Sequence, residues 1–395
     1  MQEHRYDNLA SFLSTWQDNE KYFDMLRLMA QLSKLFSESK VPYLDYRLTE
    51  NLFCKYYEAA NDARSCTAYD ARLQHVGIGI KTFILSGKNN NSSVEKIAEF
   101  NKLKKTLNGL SGIDLAIQIA KYRNERMQFA NNQYDVNETQ YHIVGRFNGT
   151  LRIFNTPYEK INLDRIHLVK DDETSCNFED EDNEYFFNKS KSVLQKRFNV
   201  PEKYTDVKVE ILKDPLALLE QFFSNNKKQI VTAKKLNKGT DYVILPLYSY
   251  TNAKGYFVPE KATLNQFNAK GRKRKENEVY IKVPAAIHNN YPDFFPSREV
   301  PFSLQLPDGK VLNAKICQAG GKALMSNPNE ALGKWILRKV LQKKPWELVT
   351  MTDLDRLGFD SVCVENLHYV DEDGLQRYRI SFSNTLENYQ DFING

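Results

Sequence analysis

The chain has few of the residues that hold small extracellular domains together. There are five cysteines in 395 residues, Cys54, Cys66, Cys176, Cys317 and Cys363, and no CxxC pair among them. An odd, dispersed set excludes a disulfide framework and argues against a structural zinc site. These cysteines read as buried apolar fillers. No stretch approaches the roughly 18 consecutive apolar residues that a membrane-crossing helix needs. The opening MQEHRYDNLASF also lacks the charged-then-apolar order of a signal peptide. A cytoplasmic protein with no membrane partner is the expectation. Histidine is scarce as well: six in all, none followed two positions later by lysine. No internal repeat is visible.

What is present is ordinary in amount and uneven in place. Hydrophobic residues make up 41% and charged residues 27%, as in a soluble globular protein long enough for two cores. The net charge is only +5, but residues 226–395 hold 25 Lys+Arg against 18 Asp+Glu, while residues 1–225 hold 30 against 32. A basic half joined to a near-neutral half suits a polyanion binder attached to something else.

Periodicity divides the chain in the same way. Tyr22, Phe23, Met25, Leu26, Met29, Leu32, Leu35 and Phe36 recur at helical spacing, and Pro42 ends the run. A second helix is predicted from about Leu48 to Ala60. The period then changes at HVGIGIKTFI (75–84), a short apolar run with glycines, as in a buried strand. Helices are predicted from about Val94 to Leu107 and from Asp114 to Ala130. Strands follow at Tyr141–Phe147 and Leu151–Asn155 around the Asn148-Gly149 turn. That order indicates an α/β domain over residues 1–225. The eight acidic residues within 171–184 read as a solvated excursion, and Asp214-Pro215 as the start of a helix. The lysine-rich stretch 226–240 reads as a linker. From Asp241 to the end strand and turn dominate, with a turn at Pro307-Asp308-Gly309 and one helix, Ala331–Leu341, capped by Asn327.

Two polar loops mark residues 241–395. The first, NQFNAKGRKRKEN (265–277), has five basic residues among positions 270–275; the second, QAGGKALMSNPN (318–329), ends at a helix start. Arginine reads guanine, Asn and Gln read adenine, and lysine neutralises phosphates. A lone basic run is otherwise a solvated hairpin tip. The motifs VPEK, NEVYI, KICQ, KALMSNPN and LGKW, spread over about residues 241–365, resemble the C-terminal domain of certain type II restriction endonucleases. That domain is a mainly-β, plant-B3-like pseudobarrel. By this resemblance the loops are the two arms that clasp double-stranded DNA. Asn265, Gln266, Asn268, Arg272, Lys273 and Arg274 then lie on or beside the first arm, and Gln318, Lys322, Ser326 and Asn327 on the second.

Relatives of such a domain carry different cutting domains. A phospholipase-D-like nuclease needs an HxK signature for its histidine nucleophile, and the chain has none. The segment Tyr69-Asp70 … Gly77-Ile78-Gly79-Ile80-Lys81 instead resembles the PD-(D/E)xK nuclease fold, in which two carboxylates hold Mg²⁺ and a lysine orients water. The departure is Gly79, where that fold usually has an acid. Some relatives move this acid to a K-x13-E position, which here is Glu95, with Glu99 one helical turn beyond on the predicted helix. Against Glu95, Ser92-Ser93-Val94-Glu95 also reads as a capping box. Glu50 is a candidate further carboxylate, or else an exposed helix glutamate. Asp70 and Glu95 are the expected metal ligands. His142 and Arg146 either face the phosphate or, for His142, lie inward and satisfied. Lys121, Arg123 and Arg126 either touch the DNA backbone or, as is commoner on a helix, are surface charge. The resemblance implies a Mg²⁺-dependent, site-specific deoxyribonuclease acting as a homodimer or higher oligomer. The alternative is a DNA-binding protein whose nuclease domain is degenerate.

Overall fold

The computed structural model describes residues 8–62, 68–226, 236–269, 271 and 273–383, with the backbone alone for 222–226. It divides into two compact units, Met1–Asn131 with Val136–Thr232, and Asn132–Asp135 with Ala233–Gly395. Cys66, Lys270 and Arg272 fall outside the described residues, and the other four cysteines are free. No helix among the described residues is long and apolar enough to cross a membrane.

The first unit opens with helices Leu9–Thr15, Glu20–Gln31 and Tyr46–Tyr56. Side chains cap each start: Asn8 accepts from the Ser11 amide, Asn19 from Tyr22, and Asp45 from Arg47 and Leu48. The strands are β1 (Ala60–Asn61), β2 (Ala71–Leu73), β3 (Val76–Ile84), β4 (Ser92–Glu99), β5 (Glu138–Phe147), β6 (Thr150–Pro157), β7 (His167–Asp171), β8 (Ser175–Glu179), β9 (Glu184–Asn188), β10 (Val193–Asn199) and β11 (Tyr204–Lys208). One sheet runs β1-β2-β3-β5-β6-β11, and a second runs β4-β10-β9-β8-β7. Among the described residues of this unit, β3 and β5 alone pair in parallel, with Lys81 beside Ile143. A parallel pair needs a crossover, and the helix Gly112–Tyr134 lies within it.

Alternation along β3 fixes its two faces. Val76, Ile78 and Ile80 enter a core with Phe12, Trp16, Tyr22, Phe53 and Tyr57 from the N-terminal helices. Burying each such ring contributes roughly 2 kcal/mol. Leu115, Ile119 and Tyr122 of the long helix pack instead with Phe178, Phe187 and Leu194 of the second sheet.

Three expectations change here. The segment predicted as a helix over 94–107 is β4, followed by short turns and a single helical turn, Lys104–Leu107. Its charged residues fall on a half-buried strand held by β10, so tertiary pairing overrides local propensity. The acidic run 171–184 is no loose excursion. It supplies β8 and its turn into β9, where Asp180 accepts from the amides of Asp182 and Asn183. Arg123 and Arg126 are not surface charges. Arg123 donates to Glu159 O and Arg126 to Glu99 O, each at 2.6 Å.

In the second unit β12 (Tyr242–Pro246), β13 (Ser249–Thr251), β14 (Gly255–Phe257), β15 (Ile281–Lys282), β16 (Pro301–Gln305), β17 (Val311–Cys317), β18 (Ala323–Ser326), β19 (Ser361–Val370) and β20 (Gln376–Ser383) follow in order. Seven of them form one sheet, β12-β19-β20-β16-β17-β18-β15, which curls into a half-barrel around Phe302, Leu304, Val362, Val364, Tyr378 and Ile380. Pro307-Asp308-Gly309 makes the β16–β17 turn, with Gly309 at φ 84°. The helix after β18 starts at Ala331 and continues as π-helix over Lys334–Val340. Asn327 does not cap it. The Ser326 hydroxyl does so, accepting from the Leu332 amide at 2.8 Å.

His142 of β5 is fully buried among the aromatic rings of the first unit. Its Nδ1 lies 2.8 Å from Asn155 Oδ1 and its Nε2 3.0 Å from Tyr22 Oη. This assigns a neutral ring that donates from Nδ1 and accepts at Nε2. Burial lowers its pKa to about 4. A depressed histidine pKa means the unfolded chain binds the proton more readily. The contribution of His142 to stability is therefore complete above about pH 6.5 and is lost as pH falls toward 4. NMR titration of the His142 ring is expected to give a midpoint near 4; a midpoint at or above the free-histidine value would refute the buried neutral ring.

Candidate active site and nucleic-acid interface

Residues 77, 79 and 81 share one face of β3. That face explains the missing acid. A Cβ at Gly79 would lie 2.8 Å from Tyr141 and Tyr158, whose rings stack 3.8 Å apart over that position. Gly77 is covered in the same way by Tyr69. The site for a carboxylate two before Lys81 is filled by aromatic carbon, so any second acid comes from another element.

Asp70 stands immediately before β2. Its amide donates to Ile78 O, and its Oδ2 accepts the Ile80 N–H at 2.8 Å, which pins the carboxylate beside β3. Burial raises its pKa, opposed by Lys81, the Ile80 N–H and Arg47. Glu50, on the helix Tyr46–Tyr56, is buried rather than exposed, and its Oε2 meets Arg47 Nη1 at 3.0 Å. Its pKa is raised by burial and by the charge of Asp70, and is drawn back by Arg47 and Lys81.

Glu95 reaches the same group from β4. The Ser93 hydroxyl donates to its Oε1 at 2.6 Å, and burial raises its pKa against the pull of Ser93, Lys81 and Arg146. The capping-box objection lapses, because residues 92–95 are strand. The strand also removes Glu99. Four residues on a strand span about 13 Å, not one helical turn. Glu99 is instead held by Lys96 at 2.7 Å and by Asn101. Half-buried Lys81 is among the charges that draw back the raised pKa values of Asp70, Glu50 and Glu95.

Among the described residues no three His, Cys, Asp or Glu side chains lie close enough to hold a metal by themselves. A hard divalent ion needs less when substrate and water complete its shell, typically one or two carboxylates. Asp70 Oδ1 and Glu95 Oε2 remain after the bonds from Ile80 and Ser93. Both are oxygen donors, the type a hard divalent ion takes, and neither carboxylate is among the charges that shift the other's pKa. Sequence reasoning missed Arg47, although its place three residues before Glu50 on one helix was readable. Arg146 donates to Pro42 O at 3.0 Å and is among the charges acting on Glu95.

In the second unit the two polar loops sort by burial. Asn265 is fully buried: its amide donates to Pro259 O and Val349 O and accepts from the Val349 N–H. Gln266 is buried beside Glu278, and Arg274 pairs with the same Glu278 at 3.1 Å. Ser326 is buried as the helix cap. These four side chains build the domain rather than face outward, a correction to their placing on the arms. Exposed are Asn268 and Lys273 on the first loop and Lys322 and Asn327 on the second, with Gln318 half-buried at φ 69°. Arg272 lies outside the described residues.

One helix ties the loops together. Arg338 donates from Nε to Asn277 Oδ1 at 2.7 Å and from Nη2 to Glu276 O at 2.8 Å, and also from Nη1 to Lys343 O and Lys344 O. Lys275 of the first loop bridges to Glu330, just past the second, at 2.8 Å. Gly333 allows this approach, since a Cβ there would lie 1.9 Å from Asn277 O.

Residues 244–367 of the chain match the family of NgoFVII C-terminal B3-like DNA-binding domains. No curated protein matches the chain significantly.

Gly333→Ala is expected to destabilise the second unit by about 2 kcal/mol or more, because backbone rather than a movable side chain must yield. The same substitution should weaken DNA binding through the displaced first loop. An unchanged denaturation midpoint in the variant would show that the close contact is absent.

Proposed function

We propose that the chain is a Mg²⁺-dependent type II restriction endonuclease. Residues 1–225 cut double-stranded DNA, and residues 241–395 recognise a short sequence in it. The match of residues 244–367 to a restriction-enzyme DNA-binding domain supports the second half of this reading. One observation carries the first half: the charge of Lys81 acts on Asp70, Glu95 and Glu50, three carboxylates from three elements, each with its pKa raised by burial. Perturbed carboxylates around one lysine are what metal-assisted phosphodiester hydrolysis asks of a protein. The order of helix, β2–β3 hairpin, β4, crossover helix and parallel β5 is compatible with the PD-(D/E)xK fold.

In this mechanism Asp70 and Glu95 would hold the ion, which would supply an acidified water and polarisation of a phosphoryl oxygen. Lys81 Nζ orients the attacking water and offsets charge that develops on the phosphate. Glu50, anchored by Arg47, keeps a further acceptor close to Lys81. Arg47 and Arg146 limit the repulsion among the acids. In the reading domain Asn268, Gln318 and Asn327 are assigned to base edges, and Lys273, Lys322 and Arg272 to phosphates. One cutting centre per chain against two strands implies a homodimer or higher oligomer.

The wild-type protein is expected to give discrete fragments from mixed-sequence DNA with Mg²⁺ and none with EDTA. Lys81→Ala should abolish the fragments and keep the gel shift. A sequence-specific shift with no cutting by the wild type would instead favour the DNA-binding protein with a degenerate nuclease domain, the reading that the glycine at position 79 supports.

Asp70→Asn separates charge from shape. The raised pKa of Asp70 means that its ionised form opposes folding at neutral pH, a penalty that grows as pH rises through the carboxylate range. The variant should melt higher than wild type at pH 7 while losing the upward shift in Tm that Mg²⁺ gives the wild type. An equal Mg²⁺ shift in both proteins would remove Asp70 from the metal site.

A further inference from the structure

The second unit holds one element that the two loops do not account for. β13 and β14 form a two-stranded ribbon outside the large sheet, with Tyr250 opposite Tyr256 and Thr251 opposite Gly255. The two tyrosines lie on one face, 4.9 Å apart, and are 56% and 42% exposed. Large aromatic pairs are seldom left in water without a partner. Asn252, Ala253 and Lys254 make the exposed tip, and Gly255 at φ 64° turns the chain back with open space around it. The Lys254 amide donates to Thr251 O and Oγ1, which fixes the tip. No acidic residue occurs between Ser249 and Phe257.

The ribbon is also rooted beside the first loop. Pro259, two residues beyond β14, has its carbonyl held by the buried amide of Asn265, the residue that opens the loop. Asn265 in turn exchanges two hydrogen bonds with Val349. The base of the ribbon and the start of the first loop are therefore set by one side chain.

We propose that the hairpin Ser249–Phe257 is a third DNA-contacting element, which enters a groove of the duplex alongside the first loop. A two-stranded ribbon fits the major groove of B-DNA. Lys254 takes a backbone phosphate, Asn252 meets a base edge, and Tyr250 and Tyr256 pack on deoxyribose and thymine methyl groups. Duplex DNA is favoured over a second copy of the chain by the positive tip, with no acidic residue in the hairpin, and by continuity with the first loop, both within the residues matched to a DNA-binding domain. The inference rests on the DNA-binding reading above.

The test uses the full-length chain without Mg²⁺, a duplex that the wild type shifts specifically, and a range of salt concentrations. Lys254→Ala should lower the slope of log Kobs against log salt by about 0.9, the value for one phosphate contact. The exposed pair Tyr250→Ser/Tyr256→Ser should weaken binding about ten-fold at every salt concentration, with slope and melting temperature unchanged. Wild-type binding with both variants equal to it overturns the hairpin proposal alone. Failure of the wild type to bind any duplex overturns the DNA reading beneath it. Sedimentation gives the remaining outcome: if the tyrosine variant dissociates an oligomer and each protomer still binds DNA normally, the ribbon is a contact between copies and the proposal falls.

Discussion

Lys81 ends the apolar run of a strand whose neighbours on both sides are fixed by sheet pairing, and everything near it must answer its charge. Behind it, Val76, Ile78 and Ile80 are locked into the aromatic core. Beside it, the Tyr141–Tyr158 stack closes the space over Gly79. The charge of Lys81 acts on three carboxylates that come from outside the strand, and each of them is desolvated where it stands. That is why Asp70, Glu50 and Glu95 all have raised pKa values, with burial as the largest cause in each case. Three acids sharing one lysine gain little from mutual attraction and lose hydration. The arrangement opposes folding, which is the signature of a site shaped for a further ligand rather than for stability.

The second unit shows the complementary strategy. Its polar residues near the candidate DNA surface are largely satisfied from within. Arg338 alone supplies four hydrogen bonds to backbone and side-chain acceptors around the base of the first loop. A loop pinned in this way loses little conformational freedom on binding, so more of its contact energy appears as affinity. The Lys275–Glu330 bridge extends the same rigidity to the second loop, although an exposed bridge adds little stability of its own. The basic run is consequently not uniform. Arg274 is committed to Glu278 and Lys275 to Glu330, while Lys273 remains exposed.

How much of this was legible in the sequence depended on whether local signals agreed with the sheet. The β3 run, the Asn148-Gly149 hairpin and the long helix after Gly112 were readable because period, turn chemistry and length coincided. β4 was not readable, because VEKIAEF carries helix-forming residues whose strand state depends on pairing with β10, about a hundred positions away. That error reached the site directly, since it made Glu99 a neighbour of Glu95 when a strand separates them. Asn265 and Gln266 were misplaced for a related reason. A polar, amide-rich stretch reads as surface, and only the fold reveals that Val349 and Glu278 wait for those amides. Resemblance drew attention to these segments without saying which way each side chain points.

Gly79 shows how these constraints combine. Taken alone, a glycine in place of an acid argues for a dead nuclease. In the structure the same glycine is required, because any side chain there would collide with two stacked rings, and the proposed function takes the acid that position lacks from Glu95 on β4. Restoring an acid at 79 would break the tyrosine stack before it helped a metal. In the proposed function the carboxylates that act with Lys81 are a different solution to the same charge requirement, with one acid moved from the lysine's own strand to the next one in sequence. Such a transfer needs β4 to return close to β3, and the paired amides and carbonyls of Ser86 and Ser92 secure that return. The short turn between these two serines, rather than any charged residue, is what allows Glu95 to act on Lys81.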